Sequence, residues 1–271
     1  MKILVLGSTG MLGHKMVERL RLYYTDVEGL SREDGFDAVD LPHVEYTLRL
    51  IRPNVVINCI GLIKQREQDL EKSIAVNALF PHFLQRICQQ IGTKLIHFST
   101  DCVFSGNRGV YAETDLSDAE DVYGRTKYLG EILADNALTL RTSIIGRERK
   151  NFHGLLEWFL RQEGIIFGYE EVFYTGVTTN WLADTVAALI QKPLSGLYQI
   201  ASPYVSKFQL LEYFKEVYAR KNIEIISAFS PLCDRTLCGE KFRKETGIVT
   251  PHLRNLVIEQ REQDLRSGYA I

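Results

Sequence analysis

Residues 3–20 read ILVLGSTGMLGHKMVERL, and this stretch is the most informative indicator of the fold. An apolar run meets a turn that contains Gly7, Gly10 and Gly13, and a helix-like pattern follows at once. Backbone N–H groups in such a turn, together with the helix N-terminus, bind a pyrophosphate. Gly7 permits the tight turn, Gly10 lets the backbone approach the phosphates, and Gly13 lets the helix pack closely on the strand. The pattern therefore predicts a dinucleotide site, the alternative being ordinary strand–turn–helix packing.

Strand-like and helix-like segments alternate through the first half of the chain. The predicted strands after the first are residues 26–30, a short one at 38–41, 55–60, 94–98 and 138–142, and the predicted helices include 44–52, 73–91 and 122–136. This alternation implies a parallel sheet covered by helices on both faces. We predict an α/β fold with a Rossmann-type doubly wound parallel sheet and a smaller C-terminal substrate-binding lobe. The predicted domains are residues 1–146 and 147–271, with about 176–201 returning to the first domain.

The amino-acid composition limits the classes of partner that we expect for this protein. The chain has 271 residues, 45% hydrophobic and 24% charged, and its net charge is −2, which is typical of a soluble globular protein without nucleic acid as partner. No apolar run approaches the ~18 residues of a membrane helix, so we expect no membrane partner. Five scattered cysteines without a Cys-x-x-Cys pair read as free thiols in a reducing compartment, which predicts a cytoplasmic protein. The six histidines show no metal-binding spacing, so no metal is expected.

Two further segments carry chemistry. Residues 98–104, FSTDCVF, lie where a predicted parallel strand ends, which is where open α/β sheets bind ligands. Tyr123 and Lys127 are four apart on a predicted helix and share a face. A nearby ammonium favours phenolate and is expected to lower the pKa of Tyr123 from about 10, so that the phenol can exchange a proton with a reacting carbonyl. The Tyr-x-x-x-Lys pattern alone is a weak signal, and its alternative is a surface packing pair.

The combination resembles the extended short-chain dehydrogenase/reductase family, and within it the branch that contains dTDP-4-dehydrorhamnose reductase. The shared motifs span about residues 1–200 and include Asn58-Cys59, Asn77, residues 96–101 and residues 122–127. The resemblance implies a cofactor, NADP(H) with NAD(H) as the alternative. It implies reduction of the keto group of a nucleotide-activated 4-keto-6-deoxy sugar, either dTDP-4-dehydrorhamnose or a UDP-linked 2-acetamido keto sugar. A homodimer is the candidate assembly.

Two other activities stay open at this point. One is a nucleotide-sugar epimerase or a bifunctional epimerase/reductase that recycles its cofactor. The other is a non-catalytic NADP-binding regulatory subunit, which predicts a lost Tyr–Lys pair, whereas this chain keeps Tyr123 and Lys127.

The resemblance also implies roles for individual residues. Tyr123 gives a proton to the developing alkoxide, Lys127 holds the nicotinamide ribose and tunes Tyr123, and Thr100 hydrogen-bonds the carbonyl oxygen. The candidate cofactor contacts are Gly7, Thr9, Gly10, Met11, Leu12, Ser31, Arg32, Asp40, Leu41, Cys59, Ile60, Gly61, Asn77, Ser99, Tyr123 and Lys127. The candidate substrate contacts are Thr100, Asp101, Cys102, Val103, Asn151, Tyr174 and Thr178. Cys102 stands where the family usually has Tyr, and this departure bears on the sugar.

Two residue pairs bear on the adenosine half of the cofactor. Ser31-Arg32 follows the second predicted strand in place of a carboxylate, which favours a 2′-phosphate and hence NADPH; the alternative is that Arg32 points to water. Asp40-Leu41 at the end of a predicted third strand is expected beside the adenine. The alternative is that Asp40 caps a helix that begins near Pro42.

Overall fold

The computed structural model describes residues 1–63, 69–150 and 152–269. Its strands are β1 (Lys2–Leu6), β2 (Asp26–Leu30), β3 (Val55–Asn58), β4 (Lys94–Ser99), β5 (Ala137–Arg141), β6 (Ile144–Ile145), β7 (Gly164–Tyr169), β8 (Val172–Tyr174), β9 (Val177–Thr178), β10 (Gly196–Gln199), β11 (Val205–Ser206), β12 (Ile223–Ala228) and β13 (Cys233–Asp234). Its helices are α1 (Met11–Leu20), α2 (Leu41–Ile51), α3 (Leu70–Ser73), α4 (Phe80–Gln90), α5 (Val122–Leu129), α6 (Leu155–Leu160), α7 (Thr179–Leu189), α8 (Lys207–Val217), α9 (Glu240–Thr246) and α10 (Leu253–Arg266). A π-helical segment, Ile74–Leu79, joins α3 to α4.

Six parallel strands form the central sheet in the order β10-β5-β4-β3-β1-β2. The chain passes from β1 to β2 on one side and then returns to β3 on the other, so the winding reverses between β1 and β3. In open α/β sheets the ligand crevice lies outside the carboxyl ends of the strands at this reversal. The predicted fold class, a Rossmann-type doubly wound sheet, is confirmed.

Alternate residues of β1 face two different cores, which is why the strand reads as one continuous apolar run. Ile3 and Val5 pack in a core that includes α1 and α7. Leu4 and Leu6 pack in a core on the opposite face, which includes α2 and α4. Burial on both faces therefore fixes β1 in the middle of the molecule and places the glycine turn at its carboxyl end.

A third core belongs to the C-terminal part of the chain. It joins α6, α8 and α10 with β7 and contains the rings of Phe159 and Phe214, whose centroids are 5.5 Å apart. β10 nevertheless pairs with β5 in the central sheet, and α7 packs on α1. The predicted domain boundary at residue 146 stays a prediction. None of the helices in the described residues is long and apolar enough to cross a bilayer.

Two sequence predictions of secondary structure are wrong. The strand expected at 38–41 is a turn, because Asp40 is the N-cap of α2 and its Oδ1 accepts the N–H of His43 at 3.1 Å. The helix expected at 122–136 ends at Leu129. A Cβ on Gly130 would lie 1.9 Å from the carbonyl oxygen of Asn77, so the chain passes too close to that segment for any other residue.

Candidate active site

A cavity of about 400 Å³ opens at the carboxyl ends of β1, β3 and β4. Fourteen of the sequence-predicted site residues line it: Thr9, Gly10, Met11, Leu12, Cys59, Ile60, Gly61, Ser99, Thr100, Asp101, Cys102, Tyr123, Lys127 and Tyr174. Residues from Thr9 to Tyr174 therefore meet at the crevice that the sheet topology creates. The site assignments themselves stay predictions, because the cavity shows proximity and not binding.

The glycine turn leads directly into α1. Gly7 has a φ of +79°, and its N–H donates to the carbonyl of Leu30 at 2.8 Å. A Cβ on Gly13 would lie 2.1 Å from the carbonyl oxygen of Gly7, so only glycine allows the helix to approach the turn this closely. Gly10 is the N-cap of α1, and no acidic side chain lies in the first turn. The first turn of α1 therefore presents the positive end of the helix dipole at the cavity and carries no carboxylate of its own.

His14 connects this turn to the C-terminal segment, a contact for which no sequence motif provided a signal. Its Nδ1 lies 2.8 Å from the carbonyl oxygen of Gly10, and its Nε2 lies 2.9 Å from the hydroxyl of Tyr269. Burial lowers the pKa of His14 to about 4, so the ring is neutral at pH 7. Because a carbonyl only accepts, Nδ1 carries the proton and the Tyr269 hydroxyl donates to Nε2.

The three predicted catalytic residues converge at the end of β4. Thr100 is the N-cap of a 3-10 turn, Asp101–Val103, and its Oγ1 accepts the N–H of Cys102 at 3.1 Å. The hydroxyl of Thr100 donates to Oδ1 of Asp101 at 3.1 Å, and Tyr123, in the first turn of α5, lines the same cavity. Burial raises the pKa of Tyr123, the nearby Cys102 raises it further, and the neighbouring Thr100 side chain opposes this rise. The phenol is therefore protonated at pH 7.

The expectation that Lys127 lowers the pKa of Tyr123 is wrong for this structure. The ammonium of Lys127 donates instead to the carbonyl of Phe98 at 2.7 Å. Burial lowers the pKa of Lys127 itself to about 8, and the carboxylate of Glu131 opposes that fall. Desolvation, rather than the neighbouring ammonium, thus dominates the protonation of Tyr123.

Glu131 is a buried residue beside the site that was not among the predicted site residues. Its Oε1 accepts from the hydroxyl of Ser99 at 2.6 Å and from Nε of Arg141 at 2.6 Å, while Oε2 accepts from Nη2 of Arg141 at 2.7 Å. The two side chains are 6% and 2% exposed. This bidentate pair fixes the carboxyl ends of β4 and β5 relative to the end of α5 and sets a negative charge near Lys127.

Asn77 holds a cavity wall instead of facing the cavity. Its Oδ1 accepts the N–H of Leu62 at 2.8 Å, and its Nδ2 donates to the carbonyl of Leu62 at 3.0 Å and to the hydroxyl of Thr126 at 3.3 Å. The donors of the amide are thus used within the protein, and Asn77 is absent from the described lining of the cavity. The predicted cofactor contact has no support here: Asn77 positions Leu62, which lines the cavity.

The predicted contacts of the adenosine half lie outside the described lining of the cavity. The N–H and hydroxyl of Ser31 donate to one carboxylate oxygen of Asp34 at 2.9 and 2.8 Å. Glu33 is ion-paired with Lys150, which does line the cavity. Arg32 is exposed at the start of this 3-10 turn, Arg32–Asp34. Two carboxylates therefore follow the Ser-Arg pair, and each is already engaged.

For the Asp40-Leu41 pair, the alternative of a helix cap is observed, since Asp40 is the N-cap of α2. Its position beside an adenine stays a prediction.

The remaining substrate candidates divide. Asp101, Cys102 and Tyr174 line the cavity. Val103 is fully buried in an apolar cluster with Phe104, Tyr111 and Leu237, so the structure does not bring it to the cavity. Thr178 is 1% exposed at the start of α7 and is likewise absent from the described lining. Asn151 lies outside the described residues.

Chains that gather a Thr, a Tyr and a Lys in this way beside a glycine turn form the short-chain dehydrogenase/reductase class of oxidoreductases, and this chain is one of them. Residues 1–229 match the family model described as RmlD substrate binding domain. The chain belongs to that family. The resemblance inferred from the sequence motifs is confirmed.

Among characterised relatives, dTDP-4-keto-6-deoxy-D-glucose reductase of Streptomyces niveus is 31% identical over 207 residues, which is 72% of this chain and 70% of the relative. dTDP-4-dehydrorhamnose reductase of Salmonella typhimurium is 28% identical over 74% of this chain and 73% of its own length. The crystal structure of a dTDP-4-dehydrorhamnose reductase from Bacillus anthracis in complex with NADP superposes with a TM-score of 0.86, at 22% identity, and covers 97% of this chain and 99% of that one. The structural likeness shows a shared fold.

Proposed function

We propose that the protein reduces the keto group of a nucleotide-activated 4-keto-6-deoxy sugar with NADPH. The convergence of Thr100, Tyr123 and Lys127 on one cavity with the glycine turn is the observation that carries the proposal. The relatives named as reductases of dTDP-linked keto sugars support a dTDP-linked substrate in preference to a UDP-linked one.

The residues present fit a nicotinamide dinucleotide. Glycine at 13 lets α1 approach the turn, so the N-terminus of α1 can receive a diphosphate. Gly61 and Lys127 both line the cavity, and a Cβ on Gly61 would lie 4.0 Å from Nζ of Lys127, so the glycine leaves no side chain over the ammonium. When bound, the reduced cofactor supplies the hydride.

The charges near the end of β2 favour NADP(H), with NAD(H) as the alternative. Glu33 is ion-paired with Lys150, and the carboxylate of Asp34 accepts two hydrogen bonds from Ser31. Both carboxylates thus already have a partner within the protein. Arg32 is left as an exposed cation that can meet a 2′-phosphate.

The side chains can move a proton at the carbonyl oxygen. Thr100 and Tyr123 both offer a hydroxyl to that oxygen, so they stabilise the negative charge that grows on it. Because burial keeps the proton on Tyr123 at pH 7, the phenol can act as the general acid. Lys127 stands one helical turn after Tyr123 in α5, and its buried ammonium, which donates to the carbonyl of Phe98, would hold the nicotinamide ribose.

Two finer proposals concern the setting of the protein. The five cysteines are free thiols, the form that a reducing compartment maintains, which supports a cytoplasmic location. A homodimer stays a proposal on the resemblance alone.

A substrate panel tests the proposed function. Purified protein with NADPH is offered a dTDP-linked 4-keto-6-deoxyhexose, its UDP-linked 2-acetamido counterpart and a nucleotide sugar without a keto group, while nicotinamide absorbance is followed. We expect oxidation of NADPH with the first substrate and none with the last. Solvent deuterium appearing beside the carbonyl without net oxidation would instead establish the epimerase alternative. No turnover on any keto sugar, with NADPH still bound, would favour the regulatory-subunit alternative.

A further inference from the structure

The segment that follows α10 docks on α1 beside the glycine turn. Tyr269 lies in this segment, and its hydroxyl is 2.9 Å from Nε2 of His14. Two cations contact the ring of Tyr269: Nζ of Lys15 lies 5.1 Å from the ring centroid, and the guanidinium carbon of Arg147 lies 5.0 Å from it. Both distances are in the range of a cation–π contact. The side chain of Tyr269 is therefore held by α1 and by the segment after β6 at the same time.

His14 carries this contact into the first turn of α1. Its side chain is 2% exposed, and its Nδ1 donates to the carbonyl oxygen of Gly10 at 2.8 Å. The same oxygen accepts the backbone N–H of His14 at 3.0 Å. Because the hydroxyl of Tyr269 donates to Nε2, it stabilises the neutral tautomer whose proton is on Nδ1. Tyr269 thus supports the hydrogen bond from the imidazole to the Gly10 carbonyl.

The Gly10 carbonyl belongs to a peptide unit at the edge of the catalytic cavity. Gly10 is the N-cap of α1 and Met11 is its first residue, and both line the cavity. The peptide bond between them, here called the N-cap peptide, is trans, and a planar trans peptide points its N–H away from its C=O. The first N–H groups of a helix have no partner within the helix. Hydrogen bonds that fix the Gly10 carbonyl therefore also fix the N–H of Met11, which is available to an anion.

We propose that Tyr269 is a positioning residue of the cofactor site, which acts through His14 to orient the N-cap peptide for the diphosphate of the dinucleotide. This inference rests on the proposed function, because it takes the diphosphate to bind at the N-terminus of α1. Tyr269 and His14 are both absent from the described lining of the cavity, so their effect passes through the backbone. A donor that already has its bound orientation lowers the ordering cost of binding.

Isothermal titration with NADPH tests the proposal in Tyr269→Phe, which keeps the ring and removes only the hydroxyl. We expect the dissociation constant of NADPH to rise roughly 3- to 10-fold, the value of one hydrogen bond. The matched control is Tyr46→Phe, because Tyr46 lies on α2 and is 64% exposed; its NADPH affinity should stay within about twofold. Unchanged affinity in Tyr269→Phe, or an unmodified protein that binds no NADPH, would overturn the proposal.

A double-mutant cycle with His14→Leu separates the route through His14 from a second route. That second route is Arg149, which lines the cavity and whose charge opposes the rise in the pKa of Tyr269 that burial causes. His14→Leu removes both ring nitrogens, so it should weaken NADPH binding at least as much as Tyr269→Phe. The double variant should bind NADPH within about twofold of His14→Leu, since the hydroxyl then has no nitrogen to act on.

Additive losses in the cycle would show that Tyr269 acts by another route and would overturn the proposal. Circular dichroism and thermal unfolding report whether each variant folds. If His14→Leu does not fold, His14→Asn takes its place in the cycle, because its side-chain amide can donate to the Gly10 carbonyl but does not extend to Tyr269. The same lack of additivity is then expected.

Steady-state kinetics on the dTDP-linked keto sugar separates this inference from the proposed function. Tyr269→Phe should raise the KM for NADPH and leave kcat and the KM for the sugar within about twofold, whereas a general loss of structure would change all three. An enzyme that reduces keto sugars but binds NADPH equally well without the Tyr269 hydroxyl keeps the function and lacks the positioning residue. A protein whose NADPH affinity depends on Tyr269 but which reduces no keto sugar has the positioning residue and lacks the function.

Discussion

Replacing Glu131 with Gln removes one negative charge from the most buried ion pair beside the site. The pair with Arg141 is bidentate at 2.6 and 2.7 Å, and the side chains are 6% and 2% exposed. In Glu131→Gln the guanidinium stays buried without its counter-charge, which typically costs about 3–5 kcal/mol. Because the glutamine carbonyl still accepts one hydrogen bond, we expect about 3 kcal/mol. For a chain of this size that corresponds to a fall in Tm of roughly 10 °C.

Urea denaturation followed by circular dichroism measures this change. The matched control is Glu45→Gln, which breaks the exposed pair of Glu45 with Arg49 and should cost no more than about 1 kcal/mol. A loss of less than about 1 kcal/mol of unfolding free energy in Glu131→Gln would show that the buried pair with Arg141 is not needed for stability.

The same variant tests the electrostatic role of Glu131. Its carboxylate opposes the lowering of the pKa of Lys127 by burial, so this pKa should fall below about 8 in Glu131→Gln. Cofactor affinity that depends on the ammonium is present below that pKa and is lost as the pH rises through it. We therefore expect NADPH binding to weaken at a lower pH in the variant than in the unmodified protein, as measured by a pH series of dissociation constants.

Three further predictions follow from the glycine turn, the buried histidine and the cofactor charges. Gly13→Ala would place a Cβ 2.1 Å from the carbonyl oxygen of Gly7, so it should cost about 1–3 kcal/mol of stability and weaken dinucleotide binding at least tenfold. In the control Gly239→Ala, the new Cβ would meet its nearest atoms at 3.5 Å, and the change should be nearly neutral. Thermal unfolding and cofactor titration check both variants. The pKa of His14 is about 4 in the folded protein against 6.5 in the unfolded chain, so the unfolded chain takes up the proton first. About 3 kcal/mol of stability is therefore lost as the pH falls from 6.5 to 4. Denaturation across that pH range should show a smaller loss in His14→Gln, and equal losses in the two proteins would contradict the assignment. Arg32→Ala should weaken NADPH binding and leave NADH binding unchanged, and NADH bound at least tenfold tighter than NADPH by the unmodified protein would rule out the NADPH preference.

The sequence predicted the elements whose residues are fixed by local pattern. The second strand was predicted at 26–30 and is observed at Asp26–Leu30. Apolar runs and glycine turns carry this information because burial on both sheet faces and the steric limits of a turn act on neighbouring residues. The helix predicted to reach residue 136 ends at Leu129 with Gly130 as its C-cap, a local stop signal that the prediction passed over, and the close approach of Gly130 to Asn77 adds a tertiary constraint at the same position.

In the candidate site, too, local motifs predicted some residues, while others depend on contacts between distant parts of the chain. Thr100, Tyr123 and Lys127 belong to local motifs, and the structure brings them to one cavity. The contact of His14 with Tyr269 joins residues 255 positions apart, and the approach of Arg235 to Cys102 spans 133 positions. Such pairs depend on the packing of the C-terminal part on the sheet, and a single sequence gives no pairing signal for them.

The rate of hydride transfer in the Tyr123→Phe variant tests whether Tyr123 is the proton donor. The ring of Tyr123 keeps its packing while the hydroxyl is lost, so the variant should bind NADPH with unchanged affinity. Single-turnover oxidation of NADPH on the dTDP-linked keto sugar should then fall about 10²–10⁴-fold, the usual contribution of a general acid. Retention of more than about a tenth of the unmodified rate would contradict the account, because the proton would then come from water or from another acid.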